Sequence, residues 1–128
     1  MAAESPDLSS KTVLVVEDNN TSTIYFKAAL QKLSIQFISA TTGVEAVSIF
    51  RGNKHIDLVL MDLNMPEMDG FEATKIMKSI RPEVPIIAQS AFVLSGEEER
   101  SLKAGCDEFL SKPIRLNLLT EMLYRYLK

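Results

Sequence analysis

From about Thr12 to its end, the chain alternates short apolar runs rich in branched residues with longer stretches at helical spacing. A repeated strand then helix pattern of this kind folds as a parallel sheet wrapped by helices, because parallel neighbours need a crossover long enough to hold a helix. Candidate strands are Thr12 to Val16, Ile35 to Ser39, Asp57 to Met61, Val84 to Ala88 and Asp107 to Leu110. The first, third and fourth are nearly continuous apolar runs, as strands covered on both faces require. The second and fifth are weaker and are expected at the edges. The fold class is therefore α/β, a doubly wound five-stranded parallel sheet with five helices in one domain.

The intervening segments read as amphipathic helices with core stripes. From Thr21 to Leu33 the stripe is Ile24, Ala28, Leu30 and Leu33. Thr42 caps a helix carrying Val44, Val47 and Phe50, and Asp69 caps one carrying Phe71, Thr74, Met77 and Ile80. The last begins after Pro113 and repeats Leu116, Leu119, Leu123 and Leu127. The fourth, about Ser95 to Ala104, has Leu102 as its only large apolar residue and opens on Glu97, Glu98 and Glu99. It is expected to be the loosest-packed helix, its acids solvated in the first turn where the helix dipole favours them. Residues 1 to 10 read as a polar tail or linker, and the domain as residues 11 to 128.

Composition excludes several roles. With 14 basic and 17 acidic residues among 128, a net charge of −3 provides no field for a phosphate backbone, so no direct nucleic-acid contact is expected. No apolar run approaches the roughly 18 residues of a membrane span. The first ten residues lack a secretory pattern. One cysteine precludes an internal disulfide and fits a cytoplasmic location.

In a doubly wound sheet, the functional crevice lies beyond the carboxyl ends of the strands. The first strand ends in Val16-Glu17-Asp18-Asn19 and the third in Met61-Asp62-Leu63-Asn64. If these strands are neighbours, Glu17, Asp18 and Asp62 meet at one rim, where three carboxylates repel one another unless a cation lies among them. Hard oxygen ligands suit Mg²⁺. Ser90 follows the fourth strand and Lys112-Pro113 the fifth, adding a hydroxyl and an ammonium to the same rim. A nucleophilic carboxylate, a metal, an ammonium and a hydroxyl donor make an anion-handling site.

These residues carry a resemblance. Val15-Val16-Glu17-Asp18-Asn19, Asp62 within Leu60-Met61-Asp62-Leu63-Asn64-Met65-Pro66-Glu67-Met68-Asp69-Gly70, Ser90-Ala91 and Ser111-Lys112-Pro113-Ile114 together resemble the receiver domain of two-component response regulators, over nearly the whole chain. The wording from Met65 to Gly70 and from Glu72 to Lys75 is similar to receivers of hybrid sensor histidine kinases; a stand-alone single-domain regulator is the alternative, since the sequence stops at the last helix.

The resemblance implies a flavodoxin-like strand order 2-1-3-4-5. It implies that Asp62 accepts a phosphoryl group from a phosphohistidine of a histidine kinase or a histidine phosphotransfer domain. Mg²⁺ would be held by Asp18 and Asp62, by the backbone carbonyl of Asn64, and by Glu17 largely through water. Lys112 would pair with the phosphoryl oxygens, Ser90 would hydrogen-bond to them, and Phe109 would turn inward as Ser90 moves, switching the face of the fourth helix, fifth strand and fifth helix. The Lys112-Pro113 bond is expected to be cis, and the domain a monomer or a weak phosphorylation-dependent dimer. Such a domain is a phosphoacceptor with weak self-phosphatase chemistry rather than an enzyme, and no nucleotide-binding loop is found.

Two positions depart from the commoner pattern. Ser90 replaces threonine, and Phe92 places a large apolar group where many relatives carry a polar one, with the expectation that it limits water at the acyl phosphate. Other readings fit less well. A phosphatase using a strand-end Asp needs a second acid two residues on, where Asn64 stands; a flavin carrier needs a phosphate loop where Glu17 and Asp18 would repel the ligand; and a degenerate docking module would not keep the full acid, hydroxyl and lysine set. His55 reads as a surface residue, Cys106 as a small core residue, and Met61, Met65 and Met68 as filling around the acidic strand end.

Overall fold

The computed structural model describes residues 7–64, 68–90 and 96–127. Five strands and five helices alternate: β1 (Thr12–Val16), α1 (Asn20–Lys32), β2 (Gln36–Ala40), α2 (Gly43–Gly52), β3 (Leu58–Asp62), α3 (Gly70–Ile80), β4 (Ile86–Ser90), α4 (Glu97–Ala104), β5 (Glu108–Ser111) and α5 (Leu116–Leu127). All strand pairs are parallel and the order is β2-β1-β3-β4-β5. The expected fold class, strand order and edge strands are therefore observed.

From β2 onward, the strands begin and end one or two residues later than the apolar runs suggested. Pairing is a backbone property, and the ladder runs on into polar residues: Asp62 stands opposite Gln89 and Ser90 opposite Ser111. The strands thus carry their reactive side chains to the rim as part of the sheet.

Alternation along the strands feeds two apolar layers. Val13, Val15, Leu58, Leu60 and Ile87 pack with α1 and α5, while Leu14, Val16, Val59, Met61, Ile86 and Ala88 pack with α2, α3 and α4. Leu8, within the segment expected to be a polar tail, is 2% exposed and lies in the α1–α5 layer; its carbonyl accepts from Lys11 N–H at 2.9 Å. A single leucine between polar neighbours gives no periodic signal, so its burial was not readable.

The first three helices start on side-chain caps: Asn19 accepts from Ser22 N–H at 3.0 Å, Thr42 from Glu45 N–H at 3.0 Å and Asp69 from Glu72 N–H at 2.9 Å. The α3 stripe holds, with Phe71, Thr74 and Met77 buried. The α1 stripe needs correction. Ile24 is 59% exposed and Ala28 is also exposed, whereas Phe26, Ala29 and Leu30 are buried. Those three with half-buried Leu33 form a better helical face, which Ile24 obscured by its hydrophobicity. Val44 and Leu116, at the first turns of α2 and α5, are likewise exposed beside buried Val47, Phe50, Leu119, Leu123 and Leu127. Helix α4 contributes Ala104 as its one apolar core residue, with Leu102 48% exposed, in keeping with loose packing.

One close approach fixes the rim. A Cβ on Gly70 would collide with the Asp62 carbonyl oxygen and stand 2.7 Å from Leu63 Cα, so α3 starts directly against the end of β3. These are backbone atoms that cannot move aside. Gly70→Ala is therefore expected to lower stability by about 1–3 kcal/mol in urea unfolding. Gly52→Ala, in the last turn of α2 with no heavy atom within 4 Å of the added carbon, is the control and should be neutral or stabilising by up to ~1 kcal/mol.

Candidate functional site

The order β1-β3-β4-β5 brings four strand ends to one rim. Glu17 follows β1, Asp62 ends β3, and Lys112 follows β5. Ligand oxygens of Glu17, Asp18 and Asp62 all lie within 4.8 Å of one another. Glu17 and Asp62 are 1% and 3% exposed, while Asp18 faces solvent. Asn19, rather than Asp18, caps α1, which leaves the Asp18 carboxylate at the rim. An open cavity of about 330 Å³ is lined by Glu17, Asp18, Asp62, Asn64 and Lys112, with Asn19 and Ser22.

Burying acids of like charge is costly, and the fold offsets this with local donors. Lys112 Nζ lies 2.9 Å from Glu17 Oε1 and 3.4 Å from Asp62 Oδ2. Asn19 N–H donates to Glu17 Oε2 at 3.1 Å, and Asn64 N–H donates to Asp62 Oδ1 at 3.0 Å. The cis Lys112-Pro113 bond occurs as expected. Burial, then the adjoining Glu17 carboxyl, still push the Asp62 carboxyl up to about 7, against the Asn64 N–H and Lys112, which pull it down. Burial works against the Lys112 ammonium, but the Glu17 hydrogen bond and the fields of Asp62 and Glu17 outweigh it and hold its pKa above the ordinary value. Three clustered carboxylates with one ammonium leave an oxygen-rich, net negative pocket, and that donor set fits a hard divalent cation.

Ser90 is fully buried at the end of β4, with its Oγ 2.7 Å from Asn64 Oδ1 and 2.6 Å from Glu97 Oε1. Phe109 lies on β5 opposite Ala88, half-buried against the α2–α4 layer. The candidate residues Glu17, Asp18, Asp62, Asn64, Ser90 and Lys112 thus meet at one rim, with Phe109 on the sheet behind Ser90. Glu97 was missed. The acidic run in α4 reads as solvated, and only the fold reveals that its first carboxylate turns into the rim.

The remaining candidates are peripheral. His55 is exposed. Cys106 is 5% exposed with Sγ 3.6 Å from Thr74 Oγ1, and burial pushes its thiol up to about 11. Met61 is fully buried and Met68 packs against the core. Phe92, Ala91 and Met65 lie outside the described residues. Among the described residues, no helix is long and apolar enough to cross a membrane.

The raised Asp62 pKa has a stability consequence whose sign is fixed. A carboxyl whose pKa rises from 3.8 to about 7 on folding contributes stability that is fully present below pH ~4 and is lost as pH climbs through ~7. Without divalent cations, urea unfolding should show the protein less stable at pH 8 than at pH 5, by an amount on the order of a few kcal/mol. Asp62→Asn should flatten that slope.

Comparison with known proteins agrees with this geometry. The family model described as response regulator receiver domain matches residues 13–124. The polar-differentiation response regulators DivK of Brucella ovis and Brucella suis are 36% identical over 120 residues, covering 92% of this chain and 97% of theirs. The receiver domain of a sensor histidine kinase from Pseudomonas aeruginosa, crystallised with a magnesium ion coordinated in its active site cleft, superposes with a TM-score of 0.85 at 32% identity, covering 92% of this chain and 98% of that one. A receiver domain co-crystallised with a histidine phosphotransfer signalling protein of Saccharomyces cerevisiae gives 0.85 at 28% identity, covering 92% and 89%. The chain belongs to the response regulator receiver domain family and is a receiver module of two-component signalling.

Proposed function

We propose that Asp62 is the phosphoacceptor, taking a phosphoryl group from a phosphohistidine of a histidine kinase or a histidine phosphotransfer protein. The observation that carries this reading is Asp62 itself: a nearly buried carboxylate at a strand end, 3.4 Å from a lysine ammonium and clustered with two further acids. An Asp62 carboxylate oxygen attacks phosphorus in line, the P–N bond breaks, and its electron pair leaves with the imidazole, which takes up a proton as the acyl phosphate forms. Asp18, Asp62, the Asn64 carbonyl and, largely through water, Glu17 would hold Mg²⁺, which supplies charge neutralisation to carboxylates and phosphoryl oxygens together. Lys112 pairs with the phosphoryl oxygens, and Ser90 donates to one of them once they are in place. Phe109 follows Ser90 inward, and the α4–β5–α5 face presents the result to a partner.

The domain acts as an acceptor rather than a turnover catalyst: the donor brings the energy. The yeast receiver held by a phosphotransfer protein supports a partner of that class. We favour a receiver of a hybrid histidine kinase, on the wording from Met65 to Gly70 and the likeness to the Pseudomonas kinase receiver. The stand-alone reading has its own support in the DivK relatives, which align over 97% of their length. The domain is read as a cytoplasmic monomer or weak phosphorylation-dependent dimer without membrane contact, and the −3 net charge supports the absence of direct nucleic-acid contact.

Incubation with Mg²⁺ and acetyl phosphate, followed by intact mass, should show one added phosphoryl group. Chelation of the metal or Asp62→Asn should abolish it; an unmodified wild type, or an undiminished adduct on the Asn variant, overturns the assignment. Lys112→Ala should slow adduct formation on the order of a hundredfold, the scale of losing one transition-state charge partner.

A further inference from the structure

Of the three acids that open α4, Glu98 and Glu99 are exposed, and Glu99 pairs with Lys103 at 3.3 Å. Glu97 is different. Half-buried, it turns back across the rim so that Oε1 lies 2.6 Å from Ser90 Oγ, while Asn64 Nδ2 donates to Oε2 at 3.3 Å. No cation pairs with Glu97 among the described residues, so its charge is met by these neutral donors and by its place in the first turn of a helix whose Gly96 cap supplies no side-chain acceptor.

A serine hydroxyl has one proton. With Glu97 Oε1 at 2.6 Å and Asn64 Oδ1 at 2.7 Å, that proton goes to one acceptor at a time, and an ionised carboxylate is the stronger of the two. Ser90 stands one residue beyond the Asp62–Gln89 pair on the neighbouring strand. Its hydroxyl is the donor that the reading above assigns to the phosphoryl group on Asp62.

We infer that Glu97 is a positioning residue for phosphoryl acceptance: its carboxylate engages the Ser90 hydroxyl in the unphosphorylated domain and must surrender it before that hydroxyl can serve the acyl phosphate. The inference rests on the proposed role of Asp62 and adds a competitor to it. Glu97 thereby sets how far the equilibrium lies toward the unphosphorylated arrangement. The same contact joins the reactive rim to the first turn of α4, so release of Ser90 also frees a side-chain tie that holds this helix.

The test is a double-mutant cycle on the intact chain with beryllofluoride and Mg²⁺ as the probe, reading the dissociation constant by calorimetry. Glu97→Ala should tighten beryllofluoride about tenfold when Ser90 is present, the scale of releasing a hydrogen bond to a charged group. In the Ser90→Ala background the same change should alter binding by less than about twofold, because the competition has gone. Glu97→Gln, which keeps size and an acceptor but not the charge, should fall between wild type and Glu97→Ala and guards against a folding artefact. Equal tightening in both backgrounds would mean that Glu97 acts through its field alone and would overturn the inference, as would no tightening in either. A wild type that takes up neither beryllofluoride nor a phosphoryl group overturns the phosphoacceptor reading and this inference with it.

Discussion

The ammonium of Lys112, set between the buried carboxylates of Glu17 and Asp62, is the interaction on which the rest of the rim depends. Two acids at 1% and 3% exposure repel each other and lack bulk water to disperse their charge, and without a cation between them one would stay protonated. Meeting that requirement takes three strands that are distant in the chain. Strand β1 delivers Glu17 and β3 delivers Asp62 because they are paired neighbours, and β5, at the sheet edge, delivers Lys112 across β4. The parallel order sets these strand ends side by side on one rim. Even so, burial and the adjoining Glu17 carboxyl push the Asp62 pKa up, and three carboxylates against one ammonium leave an excess of negative charge that a divalent cation fits.

Much of this is legible in the sequence. Continuous apolar runs mark β1, β3 and β4 because strands covered on both faces have no polar side to display, and the acids that interrupt those runs mark the rim. Legibility failed where a residue's place is set by tertiary packing. Ile24 is hydrophobic yet exposed, so counting apolar positions rotated the α1 stripe away from Phe26 and Ala29. Leu8 is buried by a layer formed from α1 and α5, neither adjacent to it in sequence. Glu97 is the instructive miss within the site. In sequence it is one of three consecutive glutamates, and only the direction in which α4 leaves the sheet distinguishes it from Glu98 and Glu99.

Family membership and the site's chemistry converge from independent directions. The matched family model and the DivK relatives rest on sequence along the whole domain. The carboxylate cluster, the lysine and the buried serine are a local constellation that makes physical sense without any relative, as an apparatus for holding a cation and a transferable anion together.

Helix α4 gives the core a single apolar residue, Ala104, and its buried Ser101 hydroxyl bonds within the helix to the Glu98 carbonyl at 2.7 Å, so beyond the Glu97 contacts at the rim little apolar surface holds it. Apart from Glu97, Ser101 and Ala104, a helix held by so little apolar surface places few demands on its own sequence. Its exposed positions, among them Glu98, Glu99 and Leu102, can change without disturbing the sheet or the acid cluster. New recognition surfaces can therefore arise on this part of the domain without the chemistry having to be rebuilt each time.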